Sequence, residues 1–146
     1  MFAFNLQPVL NYRKTVEEKK LTEFADMQRK LVEEKKLLES ICKEKQQIVE
    51  QLKNIQQSTF YASDVSFSLA YVGILSEKEL IQQKVVARVA VEVERLRREL
   101  LETVKDRKMI DIIKEHKLAE FKMGIATLER KAIEETAIQS FARKNK

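Results

Sequence analysis

The chain has 146 residues, 35% of them charged and 44% hydrophobic, and its 28 basic and 23 acidic side chains leave a net charge of +5. With two glycines and one proline, it has too few turn-forming residues for an ordinary compact domain. The apolar content is also too high for a disordered tail. Composition therefore predicts long helices that bury one face.

Positive and negative side chains alternate closely along the chain, as in VEEKKL and VERLRRELLE. Such runs are typical of a solvated helix face on which side chains three or four positions apart form ion pairs. They differ from the continuous basic surface that binds phosphate groups. We therefore expect no nucleic-acid partner.

Cysteine usage and hydropathy indicate the cellular compartment. Cys42 is the only cysteine, so one chain forms neither a disulfide framework nor a cysteine metal cluster, and a reducing compartment is expected. The first residues lack the features of a signal peptide, and no apolar run approaches the ~20 residues of a membrane-spanning helix. We expect a soluble cytoplasmic protein without direct membrane insertion.

The first predicted helix covers about residues 5–57. From Phe24 to Ile55, apolar residues recur at alternating steps of three and four, and only Glu34 and Lys45 interrupt the series. A 3.5-residue repeat over more than four heptads predicts a coiled-coil seam, meaning the row of side chains that faces a second helix.

The segment that starts this helix is rich in apolar residues. Asn5 is the predicted N-cap, and Pro8 falls within the first turn, where its missing N–H does no harm. Phe4 and Val9 have the spacing of a hydrophobic staple. Four further side chains need a surface to cover: Phe2, Leu6, Leu10 and Tyr12.

A change of composition predicts where the chain reverses. Residues 57–76 carry one charge, Asp64, and are rich in Ser, Thr and aromatic residues, which is typical of the turn of a helical hairpin. We predict a tip at about residues 58–63 and a second helix at about 64–142, with Ser63 or Asp64 as its cap.

Gly73 leaves two interpretations of the second helix open. In one, a short helix ends at Gly73 and a capping box starts a new helix at Ser76. A continuous helix is favoured, because apolar side chains on both sides of Gly73 share one face. This predicted seam contains Phe67, Tyr71, Ile74, Ile81 and Val85.

The seam of the second helix continues through Val89 to Leu100, and a stutter is predicted between residues 104 and 118 before it resumes at Phe121. With the turn near residue 60, facing residues have numbers that add to about 120. Roughly the last 25 residues then form a helical overhang without a partner. It carries the apolar side chains Ile125, Leu128, Ala132, Ile133, Ile138 and Phe141. An apolar stripe exposed to water indicates a binding surface.

The predicted fold is therefore all-α: a single coiled-coil domain, residues 1–146, that forms a long two-helix antiparallel hairpin with a C-terminal helical overhang. Catalytic groups are not expected in it. His116 is the only histidine, and Cys42 beside the seam is interpreted as a packing residue. A two-helix hairpin offers no pocket that shifts carboxylate pKa values. We predict that the protein is not an enzyme and binds no metal or cofactor.

Three stretches carry a resemblance to a known family. FAFNLQPVLNYRKTVEEKK has an aromatic start, leucines four apart, a Tyr-Arg pair and a charged run, and LERKAIEETAIQSFARK is Glu-rich with an apolar, basic end. In the latter, Ile133-Glu134-Glu135 stands where family members often show Leu-Asp-Glu. Together with VEVERLRRELLE, these stretches resemble the flagellar FliJ family of export proteins over nearly the whole chain.

The resemblance implies a stalk similar to the coiled-coil part of the gamma subunit of rotary ATPases. Such a stalk inserts into the hexameric ATPase ring of the flagellar type III export apparatus and promotes its assembly and activity. It also contacts the cytoplasmic domain of the export gate and associates with export chaperones. The implied protein is monomeric and cytoplasmic, with peripheral association at the inner membrane of the flagellar base.

Two sets of contact residues are predicted on this basis. The ATPase-ring contact consists of Phe2, Phe4, Leu6, Leu10, Tyr12, Arg13, Arg130, Lys131, Glu134, Arg143 and Lys144. The contact with the export gate or chaperones, near the tip, consists of Ile48, Ile55, Phe60, Tyr61, Phe67, Tyr71 and Leu75.

Other functions remain open from the sequence. The heptads also suit a homodimeric scaffold or tether that pairs between chains. An equivalent stalk of an injectisome secretion system has the same features. The net positive charge suits a small nucleic-acid or membrane-surface binder whose binding is lost at moderate salt.

Overall fold

A computed structural model describes residues 1–55 and 61–145, and this part of the chain contains two helices. Helix α1 covers Gln7–Ile55 and helix α2 covers Ala62–Lys144. Half of the predicted tip, residues 58–60, lies outside the described residues. α2 passes through Gly73 without interruption.

The chain divides into two compact units. The terminal unit is formed by Met1–Glu18 and Leu101–Lys146, and the central unit by Lys19–Leu100. In each unit α1 and α2 pack against each other antiparallel, with partner numbers that add to about 120. The all-α antiparallel hairpin is thus confirmed, while its organisation as one domain stays a prediction.

The buried face of α1 is the one that its heptad pattern predicts. Buried or partly buried side chains recur at steps of three and four from Leu10 to Ile55. Glu34 and Lys45, which interrupt the apolar series, occupy seam positions as well. Both are accommodated because each has a polar partner on α2.

The seam of α2 differs from the prediction at its start. Leu75, Gln82, Val89 and Leu96 are buried at steps of seven, so the seam lies one position away from the predicted row. In that predicted row, Phe67 is 81% exposed and Ile81 61% exposed. The apolar pattern was misleading because polar Ser68, Glu79 and Gln82 occupy true seam positions.

The later part of the α2 seam follows the prediction more closely. The seam positions in this region, all partly buried, are Leu100, Thr103, Arg107, Ile110, Lys114, Leu118 and Phe121. Two successive steps of four join Ile110, Lys114 and Leu118, and such a double step is a stutter. It lies within the predicted interval. Arg107 and Lys114 are the polar seam residues that hide the regular repeat before it.

In the central unit, polar seam residues bond across the hairpin. The side-chain amide of Gln82, which is 7% exposed, donates hydrogen bonds to both the carboxylate and the main-chain carbonyl of Glu34. Lys45 Nζ lies 3.0 Å from Glu79 Oε2. These groups satisfy each other where apolar side chains would leave them unpaired.

The terminal unit repeats this arrangement. Charged residues of α1 again meet polar residues of α2, and their side chains are partly buried. The carboxylate of Glu17 pairs with the guanidinium of Arg107, which also contacts Asp111 within α2. Further bonds across the hairpin join Arg13 to Asp106 and Lys114 to Gln7.

Helix α1 begins slightly later in the chain than its predicted cap implies, and helix α2 begins slightly earlier. The amide of Leu10 donates to the carbonyl of Leu6, which places the cap of α1 at Leu6 rather than Asn5. The amide of Val65 donates to the carbonyl of Tyr61, so Tyr61 rather than Ser63 or Asp64 caps α2. Asp64 lies in the first turn, where its charge favours the helix dipole.

Replacing Gly73 by alanine should stabilise the hairpin. A Cβ at this position meets no atom within 4 Å, and no glycine has a positive φ. Because glycine costs about 1 kcal/mol relative to alanine inside a helix, we expect Gly73→Ala to raise the free energy of unfolding by about that amount in urea titrations. Gly124→Ala, in the unpaired overhang, is the control and should change it much less. An unchanged or lower value for Gly73→Ala would contradict this account.

Acid should weaken the central unit. A hydrogen bond from Lys45 holds the pKa of Glu79 below its ordinary value, and one from Lys20 does the same for Glu99. Carboxylates with a lowered folded pKa stabilise the fold above the unfolded pKa and lose this effect as pH falls through the folded pKa. We expect the melting temperature from circular dichroism to fall between pH 5 and pH 2, and Glu79→Gln to reduce that fall. A melting temperature that is constant over this range would refute it.

Candidate docking surfaces

The N-terminal segment contacts α2 through an aromatic pair. The rings of Phe2 and Phe121 have centroids 5.4 Å apart and are tilted by 50°. Beside them is an open groove, lined by the N-terminal segment and by one face of α2 that includes Ile113 and Lys117. The contact agrees with the expected pairing, in which the numbers of facing residues add to about 120. Ile113 and Lys117 are additions that the sequence pattern did not single out.

The predicted ring-contact residues of α1 fall into two groups. Tyr12 is 65% exposed, and Leu6 is also exposed, so both are available to a partner. Leu10 is fully buried inside the hairpin, and Arg13 is bonded to Asp106. Leu10 therefore packs in the core of the hairpin and is not part of a docking surface.

The overhang, defined here as residues 122–145, is helical through Lys144 and exposed along its whole length. The predicted contact residues Arg130, Lys131, Glu134, Arg143 and Lys144 are all on its surface. Arg130 Nε lies 3.9 Å from the carboxylate of Glu134, an exposed pair of little energetic weight.

The apolar side chains of the overhang do not form one stripe. Because each residue turns the helix by 100°, Ile125, Leu128 and Ala132 continue the seam, and we call them the inner stripe. A second row lies roughly 150° around the helix axis. This far stripe consists of Met123, Ala126, Ile133, Ala137 and Phe141. The prediction of a single stripe was wrong in this respect.

The predicted contact residues near the tip are also divided. Leu75 is 1% exposed, and Ile48 and Ile55 belong to the seam of α1, so these three pack within the hairpin. Phe60 lies outside the described residues. Tyr61 is 78% exposed, which leaves it available to a partner.

An exposed apolar row runs beside the seam on α2 in the central unit. We call it the flanking stripe, and it is the row that the sequence had assigned to the seam: Phe67, Tyr71, Ile74 and Ile81 are exposed, and Val85 at its end is half-buried. Ile74 is 51% exposed. The hydroxyl of Tyr71 donates to the carboxylate of Glu44, and this bond raises the pKa of Tyr71. Helical spacing of exposed apolar residues is typical of a surface that binds another helix.

The basic residues in the middle of α2 are engaged within the helix. Arg95 bonds to Glu92 and Glu99, and Arg97 and Arg98 bond to Glu94. The guanidinium groups of Arg97 and Arg98 lower the pKa of Glu94 to about 2. With their charges balanced locally, these arginines form no basic surface for phosphate groups.

The two residues considered as catalytic or metal-binding groups, Cys42 and His116, are respectively half-buried and exposed. Burial raises the pKa of the Cys42 thiol, and the nearby carboxylate of Glu79 adds to this effect. His116 is exposed. Within the described ranges, no three His, Cys, Asp or Glu side chains group as metal ligands. None of the helices in the described part of the chain is long and apolar enough to cross a membrane.

These observations define the chain as an all-α coiled-coil hairpin with polar pairs inside its seam and apolar side chains on its exposed surface. The sequence model of one protein family, described as Flagellar FliJ protein, matches residues 2–146. The chain belongs to this family. No curated protein and no solved structure matches it.

Membership of this family confirms the resemblance that the N- and C-terminal stretches indicate. It gives the chain a role related to flagellar protein export. Members of this family are non-catalytic components of flagellar export.

The contact between Phe2 and Phe121 should show an energetic coupling. Tilted aromatic pairs at this distance contribute about 1 kcal/mol beyond area burial. We expect a double-mutant cycle of Phe2→Ala and Phe121→Ala, followed by urea unfolding, to give a coupling of that size. The matched cycle of Phe2→Ala with Phe141→Ala should give none, because Phe141 is 69% exposed. Additive effects in the first cycle would show that the rings do not interact in solution.

Proposed function

We propose that this protein is a non-enzymatic central stalk of the flagellar type III export apparatus, and that its terminal unit inserts into the hexameric export ATPase ring. There it promotes ring assembly and ATPase activity. The observation that carries this proposal is the overhang, a helix of exposed residues with apolar stripes on two sides.

Two stripes on different sides suit a ring better than a flat partner. A helix that docks on one surface needs one apolar face, whereas a helix that is apolar on several sides is surrounded by protein. Ile125 and Ile133 point in different directions and are 41% and 70% exposed. The lumen of a ring meets both stripes at once.

The surface beside the aromatic contact extends this proposed ring contact. Phe2, Leu6 and Tyr12 lie on the terminal unit together with the overhang, and the groove next to Phe121 is open. A ring subunit that inserts an apolar side chain there buries surface that is otherwise exposed to water. Such a contact biases the subunit between conformations only if it differs between them.

The flanking stripe is the proposed contact with the cytoplasmic domain of the export gate. Phe67, Ile74 and Ile81 offer apolar side chains at steps of seven on one helix face, which fits an amphipathic helix of the gate. The same proposal includes contacts with export chaperones and monomeric behaviour in the apparatus. It also includes a part in motility and chemotaxis, and a location at the inner membrane of the flagellar base.

Charge substitutions on the overhang test the proposed insertion. We expect the chain to stimulate the activity of a purified export ATPase, and Ile125→Glu and Ile133→Glu each to remove at least about half of this stimulation, since a buried charge is unfavourable. Deletion of residues 122–146 should remove it all. ATP hydrolysis is measured over a titration with each variant.

Val91→Glu is the matched control, because Val91 is 69% exposed and lies in the central unit. It should stimulate the ATPase as the unchanged chain does. Loss for one overhang variant alone would indicate docking on one side. The absence of stimulation by the unchanged chain would refute the stalk.

A further inference from the structure

The flanking stripe has the form of a second coiled-coil seam. Its members Phe67, Tyr71, Ile74, Ile81 and Val85 follow steps of four and three, with Lys78 in the intervening position. Along α2 this row spans residues 67–85, about 27 Å of helix. Exposed apolar rows of this kind are normally covered by another helix.

The order of side chains in the stripe is complementary to itself in the reverse direction. In antiparallel coiled coils, each layer joins two positions whose numbers have a constant sum. One such register sets Phe67 against Val85 of a second copy, and Tyr71 against Ile81. Each layer then combines one aromatic and one aliphatic side chain, a pairing that packs well.

Charges near the centre of the stripe support the same register. Ile74 then faces Lys78 of the second copy, whose methylene stem covers apolar surface while its ammonium group remains in water. That ammonium group comes close to Glu77 of the opposite chain, and the twofold symmetry repeats the pair. Both Glu77 and Lys78 are exposed, so they are accessible for this contact.

We propose that two copies of this chain associate antiparallel through the flanking stripe of α2, and that this association competes with the proposed gate contact for the same surface. One helix face of this length is smaller than the interface of a stable dimer, so the association is weak and reversible, and dilute chains are monomeric. It involves residues of the central unit only. Because it is measured with this chain alone, it stands or falls separately from the proposed stalk function.

Sedimentation velocity over a concentration series tests the association. The unchanged chain should shift from monomer to dimer as concentration rises, and Ile74→Glu should raise the dissociation constant at least about tenfold, because two charges enter the centre of the interface. Val91→Glu, at a position that is exposed on another face of α2, should leave the dissociation constant unchanged. A chain that stays monomeric at millimolar concentration overturns the proposal and leaves a helix of another protein as the occupant.

Charge exchange tests the register. Lys78→Glu should weaken the dimer about five- to tenfold by setting four carboxylates together, and the double variant Glu77→Lys with Lys78→Glu should restore it. Failure of the double variant to recover would overturn the antiparallel register.

Disulfide formation tests which side chains face each other. In a Cys42→Ala background, a mixture of Ile74→Cys and Lys78→Cys chains should form a crosslinked pair under mild oxidation. A mixture of Leu80→Cys and Ala87→Cys chains, on another face of α2, should not. Equal crosslinking in both mixtures would overturn the proposed interface.

Discussion

The register between the two helices depends on the charged residues inside the seam. If α2 slid by seven residues, Glu34 would lose Gln82 and face Val89 or Leu75 instead, although the apolar pattern would still match. Lys45 would likewise exchange Glu79 for a valine. A partly buried charge without a partner is unfavourable, so these polar positions select one register among several that apolar packing alone would allow. That choice fixes which residues of α1 and α2 lie beside each other in the central unit.

The same polar residues explain how far the sequence could predict the structure. α1 keeps an apolar series from Phe24 to Ile55, and its helix and buried face followed from periodicity. In the first part of α2, the true seam holds Glu79 and Gln82, while the neighbouring row holds Ile74 and Ile81. A prediction from hydrophobicity alone selects the more apolar row as the seam, but in the structure that row is the more exposed one. The partners that make the polar row the buried one lie on α1, 34 and 48 residues away in sequence, beyond the reach of a local pattern.

The candidate surfaces were predictable in place but not in detail. The position of the turn predicted that the N-terminal segment would lie beside Phe121, and that the overhang would be exposed. Leu10 and Leu75 were assigned to surfaces, yet they are the two most completely buried large side chains. Heptad position decides this, and one position of error exchanges a core residue for a surface residue. The family match supports a role in flagellar export, and the arrangement of exposed stripes supports the proposed use of each surface.

The locked seam also limits how proteins of this architecture can change in length during evolution. An insertion in α1 that matches neither whole heptads nor the three or four residues of a stammer or stutter rotates the later seam residues out of contact, and an insertion of a heptad, a stutter or a stammer in one helix alone still shifts seam residues such as Glu34 and Lys45 along α2, away from their partners. Length can therefore vary only when both helices gain or lose matching segments together, or in the overhang, where no opposite helix constrains it. We therefore expect the length of the overhang to vary between such proteins, according to how deep the cavity of the partner protein is.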